Sequence, residues 1–243
     1  MLVAHLDPHV SRMKRMSRTV VTSARMLHET AVQGGHRVTC WMATLTYRPE
    51  ADYRSDDISK CLQNMRMWLK ERGHHVRYVW KLEMTKAGKP HYHVMIWLPV
   101  KLRCPMFDKR GWWPWGMTNT IKVHAGTKYI AKYCSKGTGG HKLPKGARIY
   151  GTGGLEFKAR LEIRYWNAPA IVKETFILGT NFKRVLGGFA NVDTGEFVEC
   201  EYEFIKMHQG GAVMVKKDLI GNIKFSWRVA TRATACYPQS ANN

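Results

Sequence analysis

His91 and His93 stand two apart in the run HYHVMIWL, whose residue types favour a strand. Successive side chains on a strand alternate between faces, so both imidazoles leave the same face. In the preceding run, Val76–Met84, the residues Val76, Tyr78, Trp80, Leu82 and Met84 share one parity and Glu83 has the other. The linker Thr85–Pro90 (TKAGKP) is rich in turn formers, so the two runs are expected to form a β-hairpin. If Glu83 lies across from His91 or His93, a carboxylate and two imidazoles converge within a few ångströms. Such a set can hold a divalent cation: imidazole suits Mn, Zn, Fe or Ni, and the carboxylate also accommodates Mg. Two other readings of the same residues stay open. One is an exposed strand on which polar and apolar residues simply alternate; the other is a zinc hydrolase, in which His-x-His on a strand supplies two of three ligands.

Downstream, YIAKYCSK places Tyr129, Lys132, Tyr133 and Lys136 at i, i+3, i+4 and i+7, on one face of a helix. Aromatic stripes at this spacing commonly belong to a core, but lysine is seldom fully buried without a partner. A face of two phenols and two ammoniums instead suits attack on a phosphodiester. A phenol, with a pKa of about 10, is a poor nucleophile until activated. A cation polarising the phosphate and nearby lysine charge both stabilise the anionic transition state.

These residues need a scaffold, and the remaining sequence supplies its elements. Arg37–Tyr47 (RVTCWMATLTY) is β-branched and aromatic and ends before Pro49, as a buried strand does. Over residues 56–72, Ile58, Leu62, Met65 and Leu69 recur with a helical period, forming one apolar stripe. Ser55 can cap that helix, Asp56 and Asp57 suit its positive end, and Gly73 can stop it. The loop over residues 103–118 carries Trp112, Trp113 and Trp115 beside Lys109 and Arg110. The tryptophans can stack unpaired bases, at ~1–3 kcal/mol per base, or form a hydrophobic plug over the sheet, the commoner outcome. A strand over Thr120–Val123 leads into a helix over Thr127–Lys136 that Gly137 ends, and a glycine-rich stretch follows. Leu155–Trp166 alternates like a strand yet has helix-forming residue types. From about Phe176 onward the chain reads as short strands, with turns at Asp193–Gly195 and Gly221–Asn222. The order predicts an α+β fold: a central antiparallel sheet flanked by helices, with a strand-rich C-terminal extension. The expected parts are a basic N-terminal arm over 1–36, a central domain over 37–170 and the extension over 171–243.

Charge points to the partner. The 243 residues hold 39 Lys+Arg against 18 Asp+Glu, a net charge of +21, so a polyanion, nucleic acid first, is the expected partner. Hydrophobic residues make up 44%, enough for a packed core, which excludes a wholly disordered basic tail. No apolar run is long enough to span a bilayer and no secretory signal is apparent, so no membrane partner is expected. Six scattered cysteines without a CxxC pair argue against a disulfide framework or a zinc ribbon and fit a reducing cytoplasm. Arg12, Lys14, Arg15, Arg18 and Arg25 form an acid-free run, either a flexible arm lying along phosphates or a solvated basic helix. Arg77 and Lys81 have the parity of Glu83 and can hold a DNA backbone near the site. Lys206, Lys216, Lys217, Lys224 and Arg228 can contact duplex or a partner from the C-terminal part.

Three motifs in order, Thr44–Leu45–Thr46 in the first strand, HYH at 91–93 and YIAKYCSK, resemble the HUH endonuclease superfamily. More narrowly they resemble the rolling-circle replication initiators of small phages and plasmids, the two-tyrosine form being typical of phage-type initiators. The later run RIYGTGGL…RYWNAP (Arg148–Pro169) is similar to filamentous-phage initiators, and the motifs together cover roughly residues 40–170. The resemblance implies that His91 and His93 are metal ligands with Glu83 the third, and that the metal is Mn²⁺ or Mg²⁺. It implies that Tyr129 and Tyr133 are nucleophiles, each followed by its lysine, Lys132 or Lys136. It also implies a single-stranded or extruded-hairpin DNA origin, a covalent 5′-phosphotyrosine intermediate and a 3′-hydroxyl that primes a host polymerase. A second tyrosine allows a further strand transfer that closes the displaced circle. These residues contain no GxxxxGK(S/T) segment, so unwinding is expected from a host helicase, in the bacterial cytoplasm. A transposase or plasmid relaxase of the same superfamily is the nearest alternative, and a non-catalytic basic nucleic-acid-binding protein is the alternative from another class.

Overall fold

The computed structural model describes residues 3–124, 129–132, 142–208 and 211–217. In chain order the elements are β1 (Val3–Leu6), α1 (Pro8–Gln33), β2 (Val38–Tyr47), α2 (Asp57–Lys70), β3 (Tyr78–Met84), β4 (Pro90–Pro99) and β5 (Gly116–Val123). There follow β6 (Tyr150–Gly153), α3 (Phe157–Trp166), α4 (Ala170–Thr175), β7 (Phe182–Val185), β8 (Gly188–Asn191), β9 (Phe197–Glu199), β10 (Tyr202–His208) and β11 (Gly211–Lys216). The fold is α+β, and the chain divides into two compact units: Met16–Ala159, and Met1–Arg15 together with Arg160–Asn243.

The first unit is built on a five-stranded sheet of order β5-β2-β4-β3-β6, with antiparallel neighbours throughout. The hairpin forms with Tyr78 across from Ile96, Trp80 from Val94 and Leu82 from Tyr92. The two apolar parities therefore merge on one face, and all of these residues are buried. Helix α2 is tied to that face, and its stripe of Ile58, Leu62, Met65 and Leu69 is buried throughout. Each such side chain withdrawn from water contributes about 1.5–3 kcal/mol. Ser55 does not cap the helix. The cap position is Asp56, which makes no side-chain cap bond, while Asp57 inside the first turn accepts from the Arg54 N–H at 3.1 Å and the Tyr47 hydroxyl at 3.0 Å. The helix start is thereby fastened to the end of β2. At the other end Gly73 adopts φ 67°, the left-handed conformation that lets the His74 N–H return to the Leu69 carbonyl at 3.0 Å.

Strand β5 begins four residues earlier than the sequence predicts, and β2 has a neighbour on each side, β4 and β5. The tryptophan loop is the plug of the two readings. Trp113 is fully buried, donates its indole N–H to the Thr46 carbonyl at 3.2 Å and meets Tyr47 edge-on at 4.8 Å. Trp112 packs edge-on against Trp68 and Phe107. At the far edge, glycines let β6 lie close to β3: a Cβ on Gly151 would meet the Trp80 ring at 2.6 Å, and one on Gly153 would meet the Tyr78 ring.

The basic run near the N-terminus is helical. Asp7 accepts from the N–H groups of His9 (2.7 Å) and Val10 (3.2 Å), capping α1, and Pro8 starts it. Met16, Val20, Ala24, Leu27 and Ala31 form a buried stripe, while Arg12, Lys14, Arg15 and Arg18 are exposed. Of the two readings of that run, helix replaces flexible arm. Likewise Leu155–Trp166 resolves as helix, α3.

The second unit has two three-stranded sheets, β1-β11-β10 and β7-β8-β9. Ala168, Val172, Phe176, Phe182, Phe189 and Val198 make a core cluster there. Arg164 holds the start of β7 through the Phe182 carbonyl at 2.7 Å, and the Tyr165 hydroxyl donates to the Lys173 carbonyl at 3.1 Å. The RYWNAP run thus has structural duties. The turn at Asp193–Gly195 forms; the one at Gly221–Asn222 lies outside the described residues. Cys40, Cys61 and Cys104 are free and buried, but Cys200 is disulfide-bonded, a departure from the scattered-thiol expectation. Among the described residues no helix is long and apolar enough to cross a membrane.

Candidate metal centre

The hairpin register sets Glu83 opposite His91 and Lys81 opposite His93, and the β2–β4 register sets Thr44 opposite His93 and Thr46 opposite His91. Directly opposed residues share a face, so all six side chains leave the face away from Tyr92. Toward the other end of these strands the same face is apolar and buried, through Met42, Val79, Met95 and Trp97. The polar patch is therefore a local interruption in a sheet buried on both faces, not one side of an exposed hairpin.

Within that patch three ligand atoms converge. His91 Nε2 and His93 Nε2 are 3.0 Å apart, and Glu83 Oε2 lies 3.0 Å from His93 Nε2 and 3.9 Å from His91 Nε2. The ligand atoms all fall within 4.8 Å of one another. Two ligands at right angles on a cation with bonds of about 2.1 Å stand about 3.0 Å apart, so two of the three separations already match an octahedral edge. An imidazole–imidazole–carboxylate set fits Mn²⁺, Fe²⁺ or Zn²⁺, and the carboxylate adds tolerance for Mg²⁺. A three-ligand set leaves further positions of a six-coordinate cation for water or substrate oxygens.

The surroundings fix these ligands. His93 is 5% exposed, and its Nδ1 sits 3.3 Å from the Thr44 hydroxyl, which turns Nε2 toward Glu83. A neutral imidazole that offers Nε2 to a cation carries its proton on Nδ1 and donates it to Thr44 Oγ1. Tyr92, between the two histidines, anchors the opposite face against Trp80 (5.5 Å) and Trp113 (5.9 Å). Burial pushes the Glu83 carboxyl up, but the hydrogen bond with His93 and the charges of Lys81, His93 and His91 outweigh it, and the net shift is downward. Glu83 is thus held as a carboxylate, the form a cation needs.

The other expected site residues are placed as follows. Tyr129 and Lys132 lie in a helical segment, residues 129–132, with Tyr129 half-buried, Ile130 buried and Lys132 exposed. Tyr133 and Lys136 lie outside the described residues. Lys81, expected to hold a DNA backbone, is 2% exposed, so its ammonium belongs to the interior of the site. Arg77 is half-buried just ahead of β3, within reach of the charge of Glu156. Lys109 and Arg110 are exposed in a turn. Trp113, being buried, offers no ring face to a base, and Trp112 is engaged with Trp68 and Phe107. Thr44 has no assigned role in the sequence reading; its parity with Thr46 in TLT is the signal that places it beside the histidines.

Comparisons with known proteins bear on the same stretch. No curated protein and no solved structure matches the chain. Residues 40–138 match the model of the replication-associated protein ORF2 family, a span that contains Thr44, the three converging ligands and the whole YIAKYCSK motif. The match, on the stretch that builds the triad, supports a replication initiator.

Proposed function

We propose that the protein is a metal-dependent, tyrosine-nucleophile DNA endonuclease and strand transferase of the HUH type, which initiates rolling-circle replication of a phage-like replicon. The observation that carries this reading is the convergence of Glu83, His91 and His93 inside the stretch that matches the replication-associated family. In this reading the three residues hold Mn²⁺ or Mg²⁺, which when bound polarises the scissile phosphate of single-stranded or hairpin origin DNA. Thr44 keeps the His93 ring turned toward the site, and Glu83 stays ionised. The phenol oxygen of Tyr129 or Tyr133 attacks phosphorus while the bond to the 3′ oxygen breaks. The phenol proton passes to solvent, and the departing oxygen takes one up. The products are a 5′-phosphotyrosine and a free 3′-hydroxyl that primes a host polymerase, with unwinding by a host helicase in the bacterial cytoplasm. Lys132 and Lys136 supply positive charge to the transition state. The second tyrosine accepts the strand in the transfer that closes the displaced circle.

The test uses the full chain with labelled single-stranded DNA tiling the replicon that encodes it. A denaturant-resistant protein–DNA adduct that requires a divalent cation is expected. No adduct with Mn²⁺ or Mg²⁺ on any tile overturns the enzyme reading and leaves a non-catalytic DNA-binding protein. Full adduct yield in Tyr129→Phe/Tyr133→Phe overturns the nucleophile assignment alone.

A further inference from the structure

The strand that supplies Glu83 also brings a buried cation to the site. Lys81 precedes Glu83 by two residues, so its side chain leaves the same face, and its partner across the ladder is His93. It is 2% exposed, a degree of burial that lysine almost never has without a compensating charge. The carboxylate on the same strand face is Glu83, and the ammonium of Lys81 is among the charges that hold that carboxyl ionised. With neutral imidazoles, the −1 of Glu83 and the +1 of Lys81 leave the cluster without net charge before any cation enters. A site for a dication normally gathers negative charge, and this one carries an internal positive charge instead.

We propose that Lys81 is a charge-setting residue that keeps the triad's hold on its divalent cation weak and adds to its hold on the phosphodiester. The inference rests on the endonuclease reading of the site. A fixed ammonium in a poorly solvated pocket repels a dication bound to Glu83, His91 and His93 and attracts the DNA phosphate that joins it. The cation then exchanges freely, while the anionic substrate is held by two positive centres rather than one.

The signature is a pair of effects of opposite sign. In the full chain, Lys81→Met, which keeps the length of the side chain without its charge, is expected to bind Mn²⁺ alone about ten-fold more tightly by calorimetric titration with MnCl₂. The same variant, saturated with Mn²⁺, is expected to bind oligothymidylate about three-fold more weakly by fluorescence anisotropy. Lys81→Arg keeps the charge and stays near the parent in both. A merely structural role would weaken both affinities together. Lys81→Gln is carried in parallel, so that one folded neutral variant, checked by circular dichroism, is available. Mn²⁺ affinity that is unchanged or weaker in the folded neutral variant overturns the proposal, as does equal tightening in Lys81→Arg. Should the parent itself take up no Mn²⁺ and form no adduct, the endonuclease reading falls. Should it do both while the neutral variants fail to tighten, only the role of Lys81 falls.

Discussion

Glu83 is the ladder partner of His91, yet its Oε2 lies nearer to His93, at 3.0 Å from Nε2 against 3.9 Å. The carboxylate reaches diagonally across the twisted hairpin, and the more buried imidazole takes the hydrogen bond. That bond, with the charge of Lys81 beside it, is why Glu83 titrates below the usual carboxylate range despite its burial.

A pH dependence of stability follows. A carboxyl whose folded pKa is depressed adds stability that is present above its unfolded pKa and lost as the pH falls through the folded value. Without added metal, Glu83→Gln should therefore be less stable than the parent at pH 7, by about 1–3 kcal/mol, since Lys81 loses its counter-charge. The gap should narrow as the pH drops below the ordinary carboxylate range, where the parent's Glu83 also becomes neutral. Urea unfolding at pH 7 and at pH 3 measures both gaps, and a gap that does not shrink rules out the ionised Glu83 as its source.

Thr44 is the partner that orients His93, through a 3.3 Å contact with Nδ1. Thr44→Val has nearly the same shape and stays β-branched, so the strand should tolerate it within about 1 kcal/mol. Losing the hydroxyl frees the ring and its tautomer, and partners of this kind are worth about 10–100-fold in metal affinity. Titration with MnCl₂ should show a loss of about ten-fold or more with little change in the urea midpoint. Parent-like affinity would mean that strand packing alone orients the ring.

The sequence carried the site further than it carried the fold. Parity arguments need only the strand assignment, so the shared face of His91 and His93 and the matching parity of Glu83 are legible in HYH and KLEM. The merging of the two apolar faces was legible for the same reason. Burial of the histidine face was also written in the chain, because after His93 the run VMIWL stops alternating and shows apolar residues on both parities. The placement of Thr44 and Thr46 was not legible, since it depends on β2 pairing with β4 at a separation of about fifty residues, which no local pattern encodes. In α1, the buried stripe from Met16 to Ala31 was masked by the density of Arg and Lys between its members. The cap of α2 was misread for a different reason: Ser55 has the right chemistry, but the buried carboxylate of Asp57 is held by Tyr47, a residue from another element.

That buried carboxylate gives a separate test of how the sheet is fastened to its helix. Asp57 is fully buried and accepts from the Tyr47 hydroxyl and the Arg54 N–H. Burial first, and then the charge of Asp57, push the Tyr47 phenol well above its ordinary range, so it remains a donor at every pH at which the protein is handled. Tyr47→Phe removes one of the two donors and should cost about 1–3 kcal/mol. Because Tyr47 does not ionise, the loss should be the same at pH 7 and pH 9. A loss that faded over that range would show the phenol ionising after all.

The last relationship runs from the sheet edge to the histidines. Gly151 lies across from Trp80, and an added Cβ would sit 2.6 Å from the indole nitrogen and 2.7 Å from the adjoining ring carbon. Trp80 in turn meets Tyr92 edge-on at 5.5 Å, and Tyr92 is the residue between His91 and His93. Gly151→Ala must push the indole or lift β6, an overpacking that costs about 1–3 kcal/mol in a close-packed interior. If the indole moves, Tyr92 follows and the imidazole separation changes, so Mn²⁺ affinity should fall together with the unfolding midpoint. If β6 lifts instead, stability should drop with metal affinity intact. Thr152→Ala, on the other face of the same strand, controls for a general loosening of the edge and should change neither quantity by much. A Gly151→Ala protein as stable as the parent would mean that β6 does not lie over Trp80, and that the glycines of RIYGTGG serve something other than close strand packing.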